Sequence, residues 1–278
     1  MVIQVEPIQS ELVKLSKGNE EYARFNQRIV NTKKIVIGVR LPDLRKLARD
    51  LAKNASDKDI ENYLLRLDKT VYEQVLLAGI IISYAPLPDG DKIKLTKKYL
   101  KLVDSWAEID SFVLKRKKFN KELWWSFVIQ SLGSGSEFTV RYGVIELMSN
   151  FLNEKYIDEV FKQLRNIMHD GYYVLMGIAW LYATAAVKYY EQTLAEIRSA
   201  IINPWTKRKA LTKMLESYQF TTGQKAEIRE LRADIKQQRL TKLKYGLGIV
   251  IPRLFSFNHQ STIGNNSGNR TDGCQHWC

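Results

Sequence analysis

The stretch "TVYEQVLLAGIIISYA", residues 70–85, decides the fold class. Its apolar centre suits either a strand of a parallel sheet or a helix buried on most sides. Strands in globular proteins run about 5–6 residues, so the length of this run favours the helix. Pro86, Pro88 and Gly90 then break the chain. Read this way, residues 70–85 join a chain that is helical almost throughout.

Working outward, "IQSELVKLSKGNEEYARFNQRIV" (8–30) repeats its apolar residues every three or four positions, with a break at Gly18. "LPDLRKLARDLAKN" (41–54) opens with Pro42 in a first helical turn, and "SDKDIENYLLRL" (56–67) opens with a capping serine and an aspartate three residues on. Further helices are expected over 91–101, 104–116, 120–132, 137–150, 154–167, 171–187, 189–199, 206–217 and 221–242. The breaks between them, such as "GSGS" (133–136), are short, which makes successive helices antiparallel neighbours. Two helices in about 35–45 residues is the size of a HEAT or armadillo unit. The expected fold is therefore all-α: an α-α superhelix of HEAT-like repeats with a concave basic groove. A compact helical bundle is the alternative, and it calls for longer or fewer helices.

The expected domains are a helical-repeat domain over 1–245 and an irregular tail over 246–278. From Gly246 the helical periodicity stops and glycine and asparagine rise. Net charge is +13 in 278 residues. The tail holds two arginines and one aspartate; without it 41 basic and 29 acidic residues remain, a net of +12. The charge belongs to the helical body and points to an anionic partner, with nucleic acid first. Both cysteines, Cys274 and Cys278, lie in the tail, so the body has neither a disulfide scaffold nor a thiol nucleophile. "CQHWC" (274–278) supplies too few ligands for a metal site of its own. The N-terminal residues carry acids where a secretory leader needs a basic start, and no run of 18 apolar residues is present. A cytosolic or nucleoid-associated location is expected.

The body has a single histidine, His169. It has no G-x-S-x-G elbow, no phosphate-binding loop, no dinucleotide fingerprint and no H-x-x-x-H pair. What remains open is chemistry that one carboxylate can perform. Trp106 and Asp110 stand i and i+4 on the expected helix 104–116 and share a face. Spacing alone leaves two readings: an indole packed over a working carboxylate, or a core tryptophan beside a solvated acid. Tyr173, Gly177 and Trp180 share a side of the expected helix 171–187, again either a site or a packing face. Arg141 sits among apolar residues, either snorkelling or aimed at an anion. Arg40, Arg45, Lys46, the run Lys115, Arg116, Lys117, Lys118, and Lys207, Arg208, Lys209 are candidates for phosphate contacts.

In order along the chain, "YARFN" (22–26), "IGVRLPDLRKLA" (37–48), "DSWAEID" (104–110), "EFTVRYGVIELM" (137–148), "HDGYYVLMGIAW" (169–180) and "KALTKMLESYQ" (209–219) resemble the DNA alkylation repair family, the AlkD-like HEAT-repeat DNA glycosylases. The resemblance runs over about residues 8–240 and leaves the tail unmatched. It implies a protein that holds double-stranded DNA and removes purines alkylated at N3 or N7 without metal or cofactor. A monomer with no obligate protein partner is the simpler expectation, since a curved stack can enclose DNA by itself, and no membrane is expected. Carried over by motif, Asp110 looks like the catalytic carboxylate. Trp106 and Trp180 look like the indoles at the lesion's sugar, and Arg141 like a phosphate-contacting arginine. Ala107 departs from the pattern, because some active relatives have a second tryptophan there. Three functions follow: an alkylpurine glycosylase, a non-catalytic protein that recognises damaged or branched DNA, and a protein-binding scaffold.

Overall fold

The computed structural model describes residues 3–199 and 201–246, with side chains described to Gln237. These residues form α1 (Val5–Ser16), α2 (Glu20–Val30), α3 (Leu41–Ala52), α4 (Asp57–Arg66), α5 (Tyr72–Tyr84), α6 (Asp89–Tyr99) and α7 (Trp106–Phe112). There follow α8 (Lys121–Leu132), α9 (Glu137–Glu146), a π-helical turn (Leu147–Phe151), α10 (Ile157–Arg165), α11 (Tyr172–Lys188), α12 (Tyr190–Arg198), α13 (Pro204–Glu216) and α14 (Thr222–Gly246). The described residues contain one isolated parallel bridge, Ile35 with Val71, and no sheet. The tail expected beyond Gly246 lies outside the described residues.

The stretch that decides the fold is helix α5. All of Tyr72–Ile82 is buried, and α3, α4, α6 and α7 pack around it. That explains the unbroken apolar run: a helix covered on every side has no polar stripe. Glu73 and Gln74 within this run hold backbone. Glu73 accepts the N–H groups of Ile37 (3.0 Å), Gly38 (2.8 Å) and Val39 (3.3 Å), and Gln74 accepts that of Asp68 (2.8 Å). Burial pushes the Glu73 carboxyl up, and those three N–H groups pull it back down in part.

Local signals set the ends. Gly18 takes a left-handed φ of +76° between α1 and α2. Pro42 lies in the first turn of α3. Ser56 and Asp59 form a capping box on α4, which satisfies two orphan N–H groups. The sequence-expected helix 104–116 is shorter than its apolar pattern, ending at Phe112. Arg116 N–H donates to Asn150 Oδ1 (2.8 Å), and Asn150 Nδ2 donates to Leu114 O (3.3 Å). Asn150 sits in the π-helical turn, so that turn holds the segment after α7 out of helix. It also interrupts the helix expected over 137–150.

The packing follows two ladders. α3 packs on α5, α5 on α7, α7 on α9 and α9 on α11, while α4 packs on α6 and α6 on α8. Cross-contacts α4–α5, α5–α6, α8–α9 and α11–α12 tie the ladders together. This is an all-α, HEAT-like stack of helix pairs. The chain divides into two compact units between Ala210 and Leu211, within α13. In the second unit, Thr221 and Gln224 cap α14 reciprocally, and Ile228, Leu231 and Ile235 bury one stripe of it.

Gly79 on α5 is a point of close approach. A Cβ there would lie 2.5 Å from Tyr99 Cζ. The Tyr99 ring cannot give way, being fully buried, edge-on to Phe112 at 4.9 Å and hydrogen-bonded to Glu108 O at 3.1 Å. Gly79→Ala is therefore expected to lower the unfolding free energy by about 1–3 kcal/mol through overpacking. Urea denaturation of the two proteins measures the difference, and an unchanged midpoint would refute the packing account.

Candidate nucleic-acid site on successive helices

The odd-numbered ladder carries the sequence-predicted residues on neighbouring rungs. Trp106 and Asp110 lie on α7, Arg141 on α9 and Trp180 on α11; Arg45 and Lys46 lie on α3, with Arg40 at its N-cap.

The start of α7 is bolted to the end of α2. Carbonyls in a helix's last turn lack intrahelical partners, and here they find them in α7. Trp106 Nε1 donates to Ile29 O (3.1 Å) and Ser105 Oγ donates to Val30 O (2.5 Å). Ser105 and Glu108 cap α7 with a capping box. The Trp106 indole is thus fixed and half-buried.

One turn on, Asp110 meets Arg141. Nε donates to Oδ1 at 3.0 Å and Nη2 to Oδ2 at 2.7 Å, a two-pronged ion pair. Both side chains are nearly closed off, at 6% exposure for Asp110 and 5% for Arg141. Nη1 donates to Tyr173 O (2.7 Å) on α11. A Cβ on Gly177 would come within 3.4 Å of Nη1, so the bare backbone of α11 lets the guanidinium in. Tyr173 closes the circuit, its hydroxyl accepting from Asn31 Nδ2 at 2.7 Å. Asn31 ends α2 in a left-handed conformation, φ +50°. Four helices are therefore joined in one ring of polar contacts, through Ile29, Trp106, Asp110, Arg141, Tyr173 and Asn31. Trp180 is half-buried, on the same face of α11 as Tyr173 and Gly177.

Arg141, expected at a phosphate, is turned in to Asp110 and the α11 backbone. The other basic candidates divide. Arg40, Lys46, Lys115, Lys117, Lys118 and Lys209 are exposed. Arg40 lies over the Tyr22 ring at 4.6 Å. Arg45 and Arg208 are half-exposed. Arg116 is taken up inside the fold: it forks onto Glu146 at 2.8 and 2.6 Å and stacks 3.7 Å over Trp124. Lys207 is buried and donates to Ser199 O. Ala107 is buried as well, so this position packs inward.

Sequence reasoning missed the cluster behind α7. Lys34 Nζ donates to Asp104 Oδ1 and to Glu108 Oε2 (3.2 Å). Glu108 also accepts from Asp104 N (2.9 Å) and Ser105 N (3.1 Å). Its Oε1 lies 3.1 Å from Nζ but receives no hydrogen bond. Two acids on one lysine then part ways. Burial pushes the Glu108 carboxyl up to about 7, against the pull of Lys34. Burial also raises Asp104, but hydrogen bonds from Lys34 and Thr32 outweigh it and hold that carboxyl below its usual range. The one sequence-level hint was the S-x-x-E box at 105–108.

Residues 8–214 match the family described as DNA alkylation repair enzyme. The chain belongs to that family. The matched span includes every rung of the odd ladder from α3 to α11. No curated protein matches the chain. Membership in this DNA alkylation repair family brings a repair role with it, and Asp110, Trp106 and Trp180 are the residues whose part in it is open to test.

The Glu108 carboxyl gives a pH signature. The folded protein keeps this proton up to about pH 7, whereas the unfolded chain releases it near 4.5. Between those values the folded state binds more protons, so this contribution is complete below pH 4.5 and is lost as pH rises through 7. It amounts to at most about 3 kcal/mol. Glu108→Gln keeps an oxygen for the Asp104 and Ser105 N–H groups. It is expected to flatten this part of the pH dependence in urea unfolding between pH 5 and 8. Parallel wild-type and variant curves would show that the Glu108 proton is not involved.

Proposed function

We propose that this protein is a DNA glycosylase acting in the cytosol. It hydrolyses the N-glycosidic bond of purines alkylated at N3 or N7, with the odd-helix wall as its face toward duplex DNA. The observation that carries the reading is the buried, two-pronged Asp110–Arg141 pair one turn from a fixed Trp106, on the rung beside Trp180. A structural acid needs no tryptophan anchored beside it. A catalytic carboxylate needs both a fixed orientation and its charge, and the Arg141 fork supplies them.

The chemistry asks little of the protein. A purine alkylated at N3 or N7 carries a positive charge, so its base leaves with little need of protonation. Charge develops on the sugar as the bond breaks. Asp110 stabilises that oxocarbenium-like centre and orients the attacking water, while the faces of Trp106 and Trp180 add cation–π stabilisation. Water bonds to C1′, its proton passes to solvent through the carboxylate, and the bond's electrons leave with the base as a neutral purine. No step calls for a metal, a cofactor or a second subunit.

Near-closure of Asp110 by Arg141 favours a second reading, in which the carboxylate stays shut and the protein binds damaged DNA without excising bases. Release of 3-methyladenine and 7-methylguanine from methylated duplex separates the two. Wild type is expected to release base, and Asp110→Asn to lose about 100-fold or more of the rate while still binding duplex. Full activity in Asp110→Asn removes Asp110 from catalysis, and no release by wild type selects the binding-only reading.

The exposed run should act through phosphates. Replacing Lys115, Lys117 and Lys118 together by alanine is expected to weaken duplex binding alike for every sequence. The slope of log affinity against log salt should become shallower by about 0.9 for each phosphate that these lysines neutralise. An unchanged slope in salt titrations would place them off the DNA.

A further inference from the structure

Beyond Arg141 the site continues into a line of rings. Phe138 on α9 lies 5.6 Å from Tyr173, Tyr173 lies 5.2 Å from Tyr172, and Tyr172 lies 5.6 Å from Trp205 in the first turn of α13. Lys209 Nζ stands 5.5 Å over the Trp205 ring. The inner end is structural, since Tyr173 carries the carbonyl that holds Arg141. The outer end faces water: Tyr172 is 57% exposed, Trp205 half-buried and Lys209 exposed. Tyr172 and Trp205 meet edge-to-face at 63°, beside a built site, with Lys209 over the indole and more than half of Tyr172 exposed to water. Aromatic faces stack on any nucleobase, and a neighbouring cation suits its phosphate. The net charge of +13 fits the same partner.

We infer that the exposed Tyr172 ring, with Trp205 set edge-to-face against it, is a stacking platform for a nucleobase lying outside the duplex, with Lys209 beside it for the phosphate. The inference rests on the DNA-binding reading and extends it. The protein then recognises a local loss of base pairing next to the Asp110 site, as well as the alkyl group itself. Base stacking on an aromatic side chain is worth enough to change affinity by about 10-fold.

The test uses unmethylated DNA, so it does not depend on catalysis. Fluorescence anisotropy compares three labelled probes: a perfect duplex, the same duplex with one bulged adenosine, and the same duplex with a base-free linker at the bulge. Wild type is expected to bind the bulged adenosine about 10-fold tighter than either of the others. Trp205→Ala and Tyr172→Ala should each bring that ratio close to one, with perfect-duplex affinity within about twofold of wild type, and Trp205→Phe should keep most of the preference. Tyr172 is exposed, so its variant guards against misfolding of the Trp205 variant, and thermal melts check both. Equal wild-type affinity for the three probes overturns the platform and leaves the DNA reading standing, as does a preference that survives both alanine variants. Failure of wild type to bind any probe overturns the DNA reading and the platform with it.

Discussion

The ion pair of Asp110 and Arg141 is the constraint on which the site depends. Two opposite charges, each about 95% covered, are tolerated inside a protein only when they meet with good geometry and the remaining N–H groups are satisfied. The fork of Arg141 onto Asp110 gives that geometry, and Tyr173 O takes an N–H of Nη1 as well. Its consequence is mechanical. α7, α9 and α11 cannot slide relative to one another without stranding a charge. The hydrogen bonds from α7 to the end of α2 bring a fourth helix into the same ring. A stack of helix pairs is joined only neighbour to neighbour, so a site shared by successive rungs needs such a lock.

The same device recurs through the first unit. Glu73 gathers the backbone of residues 37–39, Lys34 joins Asp104 to Glu108, and Arg116 joins the turn after α7 to Glu146. Each binds a charge from one helix to a turn or helix far along the chain. The net positive charge is therefore not all available to an anionic partner. Arg116 and Lys207 are consumed by the fold, while Lys115, Lys117 and Lys118 stand out from a turn that the half-buried Arg116 ties to Glu146. An ordered cationic edge binds a phosphate backbone with less loss of side-chain and loop entropy than a floppy one.

Much of this was legible in the sequence because it is local. Helix starts follow from Pro42 and from Ser56 with Asp59, and the all-round burial of α5 from its unbroken apolar run. The i, i+4 spacing of Trp106 and Asp110 is likewise a local fact. What escaped was the pairing of charges distant in sequence. Arg141 lies 31 residues from Asp110, and nothing in "EFTVRYGVIELM" says whether that arginine turns out to a phosphate or in to a carboxylate. The end of α7 escaped for a related reason. Apolar residues continue past Phe112, so the pattern runs on, while the chain is drawn away by Asn150 from a π-helical turn 34 residues further on.

A site this sparse places its demands on position. On the proposed reading one carboxylate and two indoles serve the lesion, while nearby Glu108 is fully buried and Asp104 is paired with Lys34, so the protein's reach is confined to purines already made cationic. On that reading, selectivity for damage comes from the lesion's own weakened bond, and the protein's part is to hold charge and aromatic faces at the sugar. Small displacements of a positioned group cost large factors in rate. The indole of Trp106 is fixed through a carbonyl of α2, and Asp110 through a guanidinium on α9. Neither is positioned by its own helix alone. A seven-residue helix would be marginal by itself, and here it becomes a rigid mount because its neighbours add their restraints to its own capping box.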